Sequence, residues 1–308
     1  MPEPSLLSRR LIFLTGKGGV GKTTVAFALA QAAASSGRRT LVADLQGSGD
    51  TREVEVAPGL MHVSIDPQSA MEQYLSVQVP APAAHLLRQS HLFAAFAMAT
   101  PGMRELLCMG KFWELAQPER RTPDAEPYDL VVVDAPASGH GAALLRAPRT
   151  FAEIARVGPI AHQARTIAQT FADPDFTAVL AVTTAEEMPV TETLELQDSL
   201  KRGPDPLKLH AVILNALYPR RFSDADAHTL EALRNRGRTS TELRTILDAA
   251  LAEHARARSQ ERQEERLRLA FPDRLLTLPY LFEAELGLPQ VSLLAAALDA
   301  QITGGSGA

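Results

Sequence analysis

The stretch Leu11-Ile-Phe-Leu-Thr-Gly16-Lys17-Gly18-Gly19-Val20-Gly21-Lys22-Thr23-Thr24 decides the fold. Its first four residues are apolar and fit a short buried strand, and the Ala-rich run to Ala34 fits a helix closed by Gly37. Between them, Gly16 to Thr23 matches GxxxxGK[ST] in the strand-to-helix setting that this pattern requires. Glycines let backbone N–H groups curl into a nest around phosphate oxygens, and the helix turns its positive N-terminal end to the same anion. Lys22 can then reach the β- and γ-phosphates, and the Thr23 hydroxyl can ligate Mg2+. Residues 40–44 read as the next strand, which completes a unit the size of βαβ.

Outward from this unit, residues 130–134, 177–182 and 209–215 read as strands, 275–278 as a weaker one, with helical patterns between them. The alternation predicts an α/β fold: a doubly wound, mostly parallel P-loop NTPase sheet covered on both faces, carrying an α-helical insert subdomain. Ligands of such sheets bind beyond the carboxyl ends of the strands, where Asp44, Asp134 and Asn215 stand. Residues 66–113 show no strand signal. Leu86, Leu87, Leu92, Phe93, Phe96 and Met98 partly fit an amphipathic helix, suited to burial or to an apolar groove. A second helical insert is expected over 150–173, interrupted at Gly158-Pro159, with Phe151, Ile154, Val157, Ile160, Ile167 and Phe171 expected in core or interface. The chain, 1–308, thus reads as one ATPase domain with a helical subdomain built from 66–117 and 150–173, and a flexible tail at 304–308. Residues 224–268 form a polar helical region whose mixed charge fits a solvated face.

Composition narrows the function. The chain of 308 residues is 45% hydrophobic and 22% charged, and its net charge of −5 argues against strong non-specific nucleic-acid binding. One cysteine, Cys108, excludes an intrachain disulfide. No apolar run is long enough for a membrane span, and residues 1–10 lack the order of a signal peptide. A cytoplasmic protein without stable membrane insertion is expected. The chain has 49 Ala and 26 Arg but only 5 Lys, a GC-type coding bias that makes each lysine informative. Lys17 and Lys22 keep a compact ammonium where a tight phosphate loop cannot admit arginine's planar fork.

Lys17, directly after the first glycine, resembles the extra lysine of the deviant P-loop GKGGVGK[ST], found in a group of dimeric ATPases of the SIMIBI class. Further segments select within that group. They are Tyr128-Asp-Leu-Val-Val-Val-Asp134-Ala-Pro136-Ala-Ser-Gly139-His140 with Leu144, Leu145 and Pro148; Asp66-Pro-Gln-Ser-Ala-Met71; Glu186-Glu-Met-Pro-Val-Thr-Glu192; and Leu278-Pro279-Tyr280 to Gly287. In this order they resemble the arsenite-pump and guided-entry (tail-anchored protein targeting) ATPases.

The resemblance implies ATP and Mg2+ as ligands, with Gly16 to Thr24 around the phosphates and Lys17 reaching across a homodimer, or a heterodimer with a related ATPase. It implies that Asp44 orients the attacking water and supports Mg2+, that Asp134 is the Walker-B-type aspartate near the metal with Thr23, and that Gly139 and His140 form the second switch. Asn215 would bond adenine, and Pro279 and Tyr280 would cover the base. Read without it, each aspartate also fits a strand-end cap and Asn215 a turn residue. The implied function is a nucleotide-switched helical subdomain handling a hydrophobic membrane-protein client. The alternatives are the ATPase subunit of an anion or metalloid efflux system, and a weakly hydrolysing regulatory subunit of a heterodimer. The last is motivated by Leu45-Gln-Gly-Ser-Gly49, which stands where the family reads Pro-Ala-His and leaves the hydrolysis rate open.

Overall fold

A computed structural model describes residues 5–45, 51–78, 102–122, 125–155, 158–202, 207–236 and 240–304. The 79–101 stretch with its leucines and phenylalanines, residues 46–49 after Asp44, Val157, and the tail at 305–308 lie outside the described residues.

Eight strands form a single sheet: β1 (Leu11–Thr15), β2 (Thr40–Asp44), β3 (Val54–Ala57), β4 (Leu60–Ser64), β5 (Leu130–Asp134), β6 (Thr177–Thr184), β7 (Leu209–Leu217) and β8 (Leu275–Pro279). Their order is β3-β4-β2-β5-β1-β6-β7-β8. Every neighbouring pair is parallel except β3–β4. Helix α1 (Lys22–Ser35) follows β1, and α2 (Pro67–Gln78) and α3 (Met103–Ala116) follow β4. Next along the chain are α4 (Ser138–Ala155), α5 (Pro159–Ala172), α6 (Glu187–Lys201), α7 (Asp224–Arg234), α8 (Thr241–Ala270) and α9 (Leu288–Gly304).

Side chains alternate across the central strands, so β1 divides its apolar residues between two cores. Ile12 and Leu14 pack with Val132, with Val25 and Leu29 of α1, and with Leu294 and Leu298 of α9. Leu11 and Phe13 pack with Val131, Val133, Phe112 of α3, Leu145 of α4 and Ile167 of α5. The sheet is therefore covered on both faces, as parallel sheets are.

Three differences from the sequence reading bear on the site. Strands β3 and β4 were not anticipated: Val54 to Ala57 is a short exposed edge, and Leu60-Met-His-Val-Ser64 has little β-branched character. Strand β7 runs two residues beyond Asn215, although its ladder with β6 ends at the Thr184–Asn215 pair and Ala216 adopts a positive φ of 60°. The helix expected from residue 150 begins at Ser138, immediately after β5, and contains Pro148; Gly158 and Pro159 then start α5. At the far end, α9 continues through Gly304.

Helices α2, α3, α4 and α5 contact one another in sequence, and α3 also packs on α5. An ionic network centred on the buried Arg120 side chain fastens α3: its guanidinium bonds Glu114 Oε1 at 3.1 Å and Glu53 Oε1 at 2.8 Å, and Tyr128 Oη donates to Glu53. Burial pushes Glu114 up, but Lys111 and Arg120 outweigh it and hold the carboxyl below its ordinary range. Phe171 of α5 is buried and meets Phe13 of β1 edge-on, ring centroids 6.4 Å apart. Phe171→Ala leaves a cavity beneath α5 and is expected to lower stability by about 3–5 kcal/mol, read from urea unfolding.

Candidate nucleotide-binding site

Strands β1, β2 and β5 end at one level, and the site is built there. Asp44 and Asp134 are direct partners across β2 and β5, and Leu14 is level with Asp134 across β1. After Thr15 the chain turns at Gly16, with φ at 148°. A Cβ there would stand 2.1 Å from the Val182 carbonyl oxygen, so backbone packing demands glycine. Gly21 (φ 88°) sits at the N-cap of α1 with no side-chain cap, leaving the first N–H groups of the helix to an anion.

Lys22 folds back over the loop, its Nζ donating to Gly16 O at 3.1 Å and Lys17 O at 3.0 Å. Burial lowers its pKa, opposed by the charge of Asp134. Thr23 Oγ1 donates to Asp134 Oδ2 at 2.5 Å. Burial raises the Asp134 pKa and the Asp44 charge adds to it; the Thr23 hydroxyl, Lys22 and His62 pull the other way. Asp44 is only 6% exposed: Oδ2 takes a 2.8 Å hydrogen bond from His62 Nε2, and Oδ1 is buried without a hydrogen-bond partner. An orphaned carboxylate oxygen beside a second carboxylate and a hydroxyl is a hard oxygen set, which fits Mg2+. No cluster of three or more His, Cys, Asp or Glu placed to hold a metal occurs among the described residues.

The remaining candidates fall around this centre. Gly18 and Gly19 lie in the loop, and Thr24 in the first turn of α1, half-buried. Gly139 and His140 are in the first turn of α4; their side chains lie outside the description. One residue on, Gly141 presses on β1, where a Cβ would meet Thr15 Oγ1 at 2.4 Å. Asn215 Nδ2 donates to Val20 O at 2.9 Å, so its amide braces the phosphate loop from β7. Pro279 ends β8, Tyr280 N donates to Leu217 O at 2.8 Å, and the Tyr280 ring stacks on Tyr218 at 4.5 Å. Lys17 is held within its own chain by Glu192 Oε1 at 2.6 Å.

His62, Glu192 and Tyr218 were not singled out as site residues from the sequence. Glu192 lies 175 positions from Lys17, and His62 reaches Asp44 only through strand register. A local motif carries neither relation.

A sequence model of anion-transporting ATPases matches residues 9–158 and 152–246. The ATPase BagA of Mycobacterium tuberculosis is 31% identical over 244 residues, 72% of this chain and 70% of its own length. The chain belongs to the anion-transporting ATPase family. The ATPase GET3 of Candida glabrata is 27% identical over 271 residues, covering 70% of this chain and 76% of the relative. The arsenical pump-driving ATPase of Acidiphilium multivorum is 26% identical over 246 residues, 70% of this chain but 41% of that protein. Membership in the anion-transporting ATPase family makes this chain an ATPase and so a nucleotide binder, in keeping with the doubly wound P-loop core.

The raised Asp134 pKa fixes a sign. The folded chain holds this proton more tightly than the unfolded one, so stability falls as pH rises from the unfolded carboxylate range through the folded value. At neutral pH the penalty is fully present. Asp134→Asn, which can still accept from Thr23, is expected to raise the melting temperature of the nucleotide-free protein at pH 7 while abolishing ATP turnover.

Proposed function

We propose that this ATPase works as a Mg-ATP-dependent dimer in the cytoplasm, in which nucleotide state is relayed to a helical subdomain that handles a hydrophobic membrane-protein client. The observation that carries the reading is the position of α4. It starts four residues after Asp134, and its Gly141 touches Thr15, so it leaves the site where a γ-phosphate would lie. Helix α4 packs against α5 and α3. A shift at the strand ends therefore bears on α3 and α5 through direct contacts, and through α3 on α2, which close packing turns into discrete rearrangement.

In this reading Gly16 to Thr24 cradle the phosphates, and Lys22 moves from the loop carbonyls to the β- and γ-oxygens. Thr23 and Asp134 would hold Mg2+, which supplies charge neutralisation along the phosphate chain. Asp44 Oδ1 accepts a hydrogen bond from the attacking water and aligns it. Asn215 and the Pro279–Tyr280 segment border the base. Lys17 leaves Glu192 to meet the partner subunit's nucleotide. The resemblance to guided-entry ATPases, with a GET3 ATPase among the relatives, supports a dimer with an apolar client. The pump-driving relative raises metalloid efflux instead. Against that stands Cys108, 3% exposed, whose thiol burial pushes up to about 12 and so away from the thiolate that a soft metal needs.

Light scattering should find a dimer with a non-hydrolysable ATP analogue and a monomer with Lys17→Ala, whose turnover falls about 100-fold or more. A labelled apolar helical peptide should bind in one nucleotide state and not in the other. A monomer in every nucleotide state, or no peptide binding in any, would overturn the reading; no turnover by the lone chain would favour the regulatory subunit of a heterodimer.

A further inference from the structure

His62 belongs to no motif, yet its ring reaches the carboxylate that is to align water. We propose that His62 is a positioning residue for hydrolysis, fixing the rotation of Asp44 so that one oxygen faces the attacking water. The proposal rests on the role given to Asp44 above.

Strand register brings the two together. His62 on β4 is level with Val42 on β2, and Asp44 is two residues further along β2. Side chains two apart on a strand share a face, so His62 lies on the Asp44 side of the sheet, the side covered by α1. There the Phe27 ring of α1 backs the imidazole, centroids 5.6 Å apart at 39°. Packing on Phe27 limits the ring's rotation, and Nε2 points at Asp44 Oδ2, 2.8 Å away.

A carboxylate turns about Cβ–Cγ and presents either oxygen to its surroundings. An ionised carboxylate only accepts, so Nε2–H donates, and that bond commits Oδ2. The other oxygen, Oδ1, is then aimed in a set direction, and it is the buried atom with no hydrogen-bond partner. An acceptor whose direction is fixed before water arrives saves the ordering that alignment otherwise costs. Without His62 the carboxylate keeps its place on β2 but not its orientation. Substrate binding, which depends on the phosphate loop, stays as it is.

The test is steady-state ATP turnover and Mn2+ affinity of the ADP complex for five variants of the full chain: three at His62, Asp44→Asn, and the Asp44→Asn/His62→Leu double. Gln places an amide N–H near the Nε2 position, Asn places it near Nδ1, and Leu has no donor. His62→Leu is expected to lower kcat about 10-fold or more and to weaken Mn2+ binding, with the KM for ATP within about twofold. His62→Gln should recover most of both, and His62→Asn should not. In the Asp44→Asn background, His62→Leu should cost nothing further. The proposal is overturned by wild-type kcat in His62→Leu, by equal loss in the Gln and Asn variants, by a rise in KM alone, or by additive losses in the double variant. If His62→Leu does not fold, the Gln and Asn pair decides. If Asp44→Asn itself turns over normally, the reading of Asp44 fails and His62 falls with it; if Asp44→Asn is dead and His62→Leu is normal, only the His62 proposal fails.

Discussion

Two carboxylates stand side by side at the ends of neighbouring parallel strands, and the rest of the site follows from containing them. Asp44 and Asp134 are in register across β2 and β5, both largely buried. Burial raises the proton affinity of Asp134, and the neighbouring Asp44 charge adds to it. The Thr23 hydroxyl, Lys22 and His62 are positioned to offset this, the first two from the first turn of α1 and the third from β4. A strained pair of this kind is uncommon in a purely structural setting and is what a divalent cation and a phosphate chain relieve.

The same strand ends anchor the segments around the phosphate loop. Gly16 leaves β1 against the Val182 carbonyl, Gly141 of α4 leans on Thr15, and Asn215 of β7 holds the loop at Val20. No Cβ fits at Gly16, and one at Gly21 would meet Asn215 Nδ2 at 2.4 Å. The loop is thus clamped between β6 and β7 while its phosphate side stays open. Tight backbone packing behind and polar groups in front make a preorganised anion cradle, in which binding energy need not be spent on ordering the loop.

The legible part of this site was local. Glycine spacing, a lysine and a hydroxyl at the helix start, and aspartates closing apolar runs all sit within a few residues of the element that needs them. The covered sheet was legible too, since an unbroken apolar run such as Leu130-Val-Val-Val133 suits burial on both faces, and the polar Asp134 that follows marks the strand's end. What escaped was weakly patterned or long-range. Strand β4 carries Met and His where β-branched residues would have marked it, and Val54 to Ala57 is an exposed edge. The start of α4 at Ser138 escaped because Ala-Pro-Ala-Ser-Gly reads as loop, and only the packing of Gly141 on Thr15 calls for a helix there.

The sequence by itself determined the local chemistry: a glycine-rich P-loop on a parallel sheet, carboxylates closing its strands with a hydroxyl at the helix start, and a second loop lysine that an Arg-rich chain had no general reason to keep. Only the tertiary structure decided who faces whom. It set Asp44 against Asp134 and His62, and it gave Lys17 to Glu192 within the same subunit. The physical reason is that motifs record what one segment must be to make a local shape. Pairing across strands depends on register and on helix packing, which are settled when the whole core closes.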